Sequence, residues 1–309
     1  MTGRATTADL AGLWGYRRGV KWQPGQGSGD IEDRRGSPGR RMPGGAKLGA
    51  GGLILVLIGL FFGRNYLSEL GGSDESGAGG GGGGQTQGPP SGTDPDARLV
   101  QFMGFILDDA QDGWTKIFKA NDQRYVRAKM VLFSRGTESG CGYASSAIGP
   151  FYCPPDQKVY LDLDFFRALS ARLGAPGDFA QAYVIAHELG HHVQNLLGYD
   201  AEFAQHIESA GKRSPAASEW SVRQELQADC LAGVWAHGAA QRELLEAGDL
   251  EEGLNAAAAI GDDTLARKAG AEVVPESFTH GTSAQRVRWF KRGFERGQVG
   301  DCDTMNGPL

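Results

Sequence analysis

His187, Glu188, Leu189, Gly190 and His191 constrain the fold of this chain more than any other stretch, because their spacing makes chemical sense only on an α-helix. Residues four apart on a helix lie one above the other, about 40° apart around the axis. Both imidazoles can then reach one zinc ion. Glu188 lies beside that line, placed to act as base toward a metal-activated water. Asp178 followed by Gln181 reads as a capping box, and Gly198 as the C-terminal stop of the same helix. Val184, Ile185, Ala186, Leu189 and Val193 supply an apolar surround that would keep the site dry and its geometry fixed.

A catalytic zinc needs a third protein ligand and an open position. A metzincin would place Gly at 194 and His at 197, whereas this chain has Gln194 and Leu197, which excludes that class. Glu225 is the candidate third ligand. It opens Glu225-Leu226-Gln227-Ala228-Asp229, two carboxylates four apart on a helix predicted over 215–236. One carboxylate can bind the metal while Asp229 accepts the outer N–H of a ligand histidine and fixes its tautomer. A solvated acidic face is the plain alternative, but Val222, Leu226, Cys230, Val234 and Trp235 make this helix largely apolar. One Zn²⁺ is the expected cofactor.

The runs AHELGHHVQ (186–194), ELQADC (225–230) and CGYASSAIGPFYCPPDQKVYLDL (141–163) resemble the bacterial putative neutral zinc metallopeptidase family. The likeness covers most of 97–309 and an N-terminal stretch, Val20-Lys21-Trp22-Gln23-Pro24 leading to Glu32-Asp33-Arg34-Arg35-Gly36. Val20 stands where that family has its initiator Met, so residues 1–19 read either as an upstream misannotation or as a short cytosolic extension. The resemblance implies a gluzincin-like zinc peptidase acting on peptides or proteins. The segment around His280 is similar to one in the CaaX prenyl protease group, which also has an Arg six residues later, here Arg286, although Gly281 replaces the usual Pro. That likeness makes His280 a candidate catalytic donor to a tetrahedral oxyanion. Capping of a helix beginning near Ser283 is the equal alternative. His192, His206 and His237 have no partner pattern and read as surface or packing residues.

Residues 48–63 carry no charge and are dominated by Leu, Ile, Val, Phe and Gly. As a helix they span about 24 Å, short of the roughly 20 residues that cross a membrane comfortably. Extension to Leu67, with Arg64 snorkelling, gives a transmembrane signal anchor over 48–67. The 47 preceding residues are too many for an ordinary signal peptide. Residues 1–47 hold nine Lys or Arg against four Asp or Glu, so the positive-inside rule predicts a single pass with the N-terminus cytoplasmic. Residues 68–96, with six consecutive glycines from Gly79, read as a disordered linker. The enzyme domain is then 97–309, outside the cytoplasm at the bacterial inner membrane. With 21 basic and 28 acidic residues it has no nucleic-acid surface.

Within 97–309 the pattern predicts a helix over 97–120, strands over 129–133 and 159–163, then helices to near the end. The expected class is α+β: a zincin-like, mainly helical domain with a small sheet, tethered by one N-terminal transmembrane helix. The segment 158–163, or a neighbouring strand, is a candidate sheet edge for an extended peptide; an ordinary buried strand is the plainer reading. Cys141, Cys153, Cys230 and Cys302 allow three pairings. Cys141–Cys153 would clamp the loop between the strands, and Cys230–Cys302 would tie the C-terminal tail to the metal helix. Oxidising surroundings agree with the predicted topology. A membrane-anchored zinc peptidase with Glu188 as general base is the leading reading. A noncatalytic interaction protein with a structural zinc is the rival, disfavoured because a closed structural site has no use for Glu188.

Overall fold

A computed structural model describes residues 19–25, 27–36, 94–212 and 214–309. The expected anchor over 48–67 and nearly all of the linker lie outside the described residues. Among the described residues no helix is long and apolar enough to cross a membrane.

The chain forms a four-stranded sheet against a helical bundle. Helix α1 (Ala97–Ala120) buries Phe102, Met103, Ile106, Leu107, Ala110, Trp114 and Phe118, a stripe at three- and four-residue spacing. Strands β1 (Ile31–Asp33), β2 (Lys129–Phe133), β5 (Phe151–Cys153) and β6 (Lys158–Asp162) assemble in the order β1-β2-β6-β5. The β1–β2 and β2–β6 pairs are parallel and β5–β6 is antiparallel. Strands β3 (Gly136–Ser139) and β4 (Gly142–Ser145) form a separate hairpin. Strand β6 begins and ends one residue before its predicted position. Paired on both sides and buried, it is an ordinary interior strand, and its neighbour β5 forms the edge.

The helices that follow are α2 (Leu163–Ala171), α3 (Asp178–Leu197), α4 (Tyr199–Ala210), α5 (Pro215–Gln241), α6 (Asp249–Ala259), α7 (Asp262–Ala269) and α8 (Ser283–Arg296). Helix α3 ends at Gly198 in the left-handed conformation, as its sequence predicts. Its start differs. Gly177 is the N-cap and Asp178 is the first helical residue, so the expected Asp178–Gln181 capping box does not form. Helix α5 runs past position 236 to Gln241 because its apolar face continues through Ala239. Two disulfides, Cys141–Cys153 and Cys230–Cys302, join the expected partners.

Glycines set how closely the helices around the site approach. A Cβ at Gly190 would stand 2.8 Å from the carbonyl oxygen of Ala228, so the glycine within the His187–His191 motif lets α3 lie against α5. On the other side of α5, a Cβ at Gly293 would overlap the carbonyl oxygen of Cys230. Three helices are thus brought near backbone contact around Glu225 and Asp229.

Residues 19–36 belong to this same folded unit rather than to a separate basic segment. Strand β1 pairs with β2 in the register Ile31↔Met130, Glu32↔Val131 and Asp33↔Leu132. Val20 is buried in the main core and the Lys21 amide donates to the Leu244 carbonyl. Arg35 bridges Asp33 and Asp94 at 2.7 and 2.6 Å, bringing residues 35 and 94 together.

Candidate metal centre

His187 and His191 project from one face of α3 toward Glu225 on α5. The Glu225 carboxylate lies 3.2 Å from His187 Nε2 and 3.5 Å from His191 Nε2, through different oxygens. One ligand atom from each of the three residues falls within 4.8 Å of the other two. Nitrogen and carboxylate donors in this number suit zinc with a position left for water or substrate.

The electrostatics of the pocket point to a cation at that place. Burial would push Glu225 up, but His191, His280 and His187 outweigh it and hold the carboxyl well below its usual range. Burial would lower His191, yet Glu225 and Glu188 raise it to about 10. His187 is also raised, by Asp229 and Glu225 against burial. The buried carboxylates thus favour positive charge at the imidazole side of the pocket.

Around these three residues a fully buried support is built. His187 Nδ1 donates to Asp229 Oδ1 at 2.9 Å, which leaves Nε2 unprotonated for a metal. Arg286 from α8 clamps the same carboxylate through Nε and Nη2 at 2.8 and 2.9 Å, and the Tyr183 hydroxyl donates to Oδ1. Burial alone would raise Asp229; Arg286 and His187 hold it down to about 2. His191 Nδ1 donates to Gln194 Oε1 at 2.8 Å, and Gln194 Nε2 in turn donates to the Gln224 carbonyl and to Gln227 Oε1. Gln194, one of the two residues that remove this chain from the metzincins, therefore orients the second histidine.

Tyr183, Gln194 and Asp262 are supporting residues that sequence reasoning did not single out. Tyr183 is four residues before His187 on the same helical face, the spacing that could have exposed it. Asp262 has no such signal, since its role arises from a distant loop. It accepts the backbone amides of Thr279, His280 and Gly281 and holds His280 Nδ1 at 3.1 Å. Of the two readings of His280, capping is not observed: Thr282 caps α8, in a capping box with Gln285. His280 instead lines the same cavity as the three candidate ligands. Gly281 adopts φ +88° and donates its amide, neither of which proline can do.

That cavity, of about 410 Å³, is lined by His187, Glu188, His191, Glu225, His280 and Arg286 together with apolar residues from α3, α2 and the sheet edge. Glu188 is buried, which raises its pKa, while His187 and His191 oppose the rise. Phe151 and Tyr152 of β5 form part of the wall. The Tyr152 hydroxyl meets His192 Nδ1 at 2.9 Å and accepts from Asn195 at 2.8 Å, fastening the edge strand to α3. His192 is thus a packing residue, and His206 stacks on Trp220.

Residues 20–305 match the family described as putative neutral zinc metallopeptidase. The chain belongs to that family. It is 44% identical over 297 residues to the uncharacterized protein YpfJ of Escherichia coli (strain K12), covering 93% of this chain and 99% of that one. It is 45% identical over 193 residues to the uncharacterized protein Rv2575 of Mycobacterium tuberculosis (strain ATCC 25618 / H37Rv), covering 59% of this chain and 64% of the relative. No solved structure matches it.

Proposed function

We propose that this chain is a zinc-dependent endopeptidase. The observation that carries the reading is the convergence of His187, His191 and Glu225, with Glu188 beside them, at the floor of a cavity walled by an edge strand. One zinc ion would be held by His187 Nε2, His191 Nε2 and the Glu225 carboxylate. Bound there, zinc supplies a Lewis acid that acidifies water and polarises a carbonyl. Glu188 takes the proton from the attacking water and delivers it to the leaving amine nitrogen. His280, held by Asp262, donates to the developing oxyanion. Asp229, Arg286 and Tyr183 keep His187 in the required tautomer. An extended peptide adds to the free edge of β5, whose Phe151 and Tyr152 line the cavity.

We further propose that the enzyme is attached to the bacterial cell membrane through 48–67, with its folded unit outside the cytoplasm. Two disulfides support an oxidising compartment. The positive-inside argument needs revision, because Arg34 and Arg35 are engaged with Glu32, Asp33 and Asp94 in the folded unit. We propose that residues 19–36 lie on the same side of the membrane as the enzyme, so that 48–67 attaches the chain without a single crossing.

The test is zinc content together with turnover of unstructured peptides by the full chain and by Glu188→Gln. Wild type should bind one zinc and cleave; the variant should bind one zinc and cleave roughly 10²–10⁴-fold more slowly. Zinc binding without any turnover by wild type would favour the structural-zinc interaction protein.

A further inference from the structure

Asp200 lines the cavity of the metal centre without belonging to its ligands or their supports. It follows Gly198, the C-cap of α3, and stands in the first turn of α4. The other charged groups of the wall are matched. Glu188 and Glu225 face His187 and His191, Arg286 is held by Asp229, and His280 by Asp262. Among the described residues Asp200 has no ion-pair contact, and its one hydrogen bond comes from a neutral amide, Gln224 Nε2, which reaches Oδ1 at 3.1 Å.

The second oxygen, Oδ2, accepts nothing from the described residues and is not buried, so it remains open. The carboxylate is turned toward the cavity: its charge acts on His191 and on Tyr152, and Gln224 lines the same wall. An acid in a first helical turn is favoured by the helix dipole, which accounts for its presence. It does not account for the burial. Glu202 meets the same dipole from an exposed position, whereas Asp200 is half-buried at a cost that raises its pKa. The cavity thus has two ends. Val184, three residues before His187, joins Phe165 and Ile260 in an apolar end, while Asp200 and Gln224 lie at the His191 end.

We propose that Asp200 recognises a lysine or arginine side chain of the substrate on the His191 side of the scissile bond, which makes basic peptides the substrate class of this enzyme. The inference rests on the peptidase reading and adds a specificity to it. A basic side chain entering past His191 meets the open Oδ2 and supplies the charge that the wall leaves unmatched, while Gln224 keeps Oδ1 in place. An apolar side chain in the same position would strip the carboxylate of water and offer nothing in return, and that penalty is the source of the discrimination. With 21 basic and 28 acidic residues, the unit 97–309 also attracts cationic peptides from a distance.

The experiment uses unstructured peptides acetylated at the N-terminus and amidated at the C-terminus, so that one side chain is the sole cation. A randomised set cleaved by the zinc-loaded full chain locates the subsite, where Lys and Arg should be enriched at one position beside the bond. Matched peptides with Lys or norleucine there are then given to wild type and to Asp200→Asn, whose side chain can still accept from Gln224. Wild type should favour Lys by about 10–100-fold in kcat/KM, and the variant should bring that ratio close to one. Equal loss on both peptides would show that Asp200 merely supports His191 and would overturn the proposal. So would a wild type indifferent to Lys, or one that prefers it only when the N-terminus is free, which would assign the carboxylate to an α-amine. If Asp200→Asn does not fold, the wild-type ratio and its decline with rising salt carry the test. Binding of the same two peptides to zinc-loaded Glu188→Gln, read by fluorescence anisotropy, gives the comparison without turnover. A Lys preference there with no cleavage by wild type would sink the peptidase reading and uphold the recognition; cleavage with no preference would sink the recognition alone.

Discussion

At the scale of single residues, Asp229 shows how much of a site lies beyond its spacing. Its position four residues after Glu225 identifies it as a partner for a ligand histidine, and the structure places it there. What the spacing could not reveal is that the same carboxylate neutralises Arg286, which is 2% exposed and comes from a helix 57 positions later. Removing a zinc partner of this type costs about 10–100-fold in metal affinity. Removing one half of a buried ion pair costs about 3–5 kcal/mol in stability. Asp229→Ala is therefore expected to lower zinc affinity and, even with saturating zinc, to lower Tm markedly. Asp229→Ala combined with Arg286→Met should recover most of the stability without recovering the affinity. Unfolding curves and zinc titrations of the three proteins check this; a single variant as stable as wild type would show that Arg286 finds another partner. His187, Glu188, His191 and Glu225 were legible because their chemistry imposes helical spacing. Tyr183 and Asp262 were not, since a hydroxyl or a carboxylate serving a distant group leaves no local pattern.

Among the elements, periodicity gives the first helix with both its ends and the second strand in full, because each has a strong apolar pattern and clear boundaries. The start of α3 was misread because Asp at a helix entrance serves equally as N-cap or as a first-turn residue, and only the tertiary partners decide. Close approach between helices has a testable cost. Gly293→Ala forces its Cβ onto the Cys230 carbonyl, with backbone on both sides and no flexible side chain to yield. The expected loss is about 1–3 kcal/mol or more, with α8 and its Arg286 displaced from Asp229. Chemical denaturation measures the loss, and unchanged stability would mean that the two helices separate freely. The entrance of α6 carries a pH signature. Asp249, facing Asp178, Glu246 and Glu251, has its pKa raised from 3.8 to about 6. The folded state then binds a proton more tightly than the unfolded chain. Its contribution is most favourable below pH 3.8 and is lost as the pH rises toward 6. The stability of wild type relative to Asp249→Asn should fall across that window and level off above it. A difference that stays flat with pH would show that Asp249 is not perturbed.

For the whole molecule, the decisive element is one that the sequence hides. Strand β1 has three residues, too few for any periodic signal, and acquires its conformation only by pairing with β2. Its basic neighbours, counted as membrane-flanking charge, are engaged instead by Glu32, Asp33 and Asp94. Pairing of β1 with β2 and the Arg35–Asp94 contact require both flanks of 37–93 to lie in one compartment. A single crossing between them would remove β1, Val20 and the Asp30 partners of Arg127 and Lys129 from the fold. Since all four cysteines are in disulfides, an added thiol is a clean reporter. Gln23→Cys and Asp122→Cys, both at exposed positions, are expected to react from intact cells with the same membrane-impermeant reagent, each to the same extent. Labelling of Asp122→Cys alone, with Gln23→Cys reached only after lysis, would separate residue 23 from the enzyme and restore the single-pass topology. In that case the full chain should lose the β1 pairing, and its amides from 31 to 33 should exchange with solvent as fast as those of an unstructured segment.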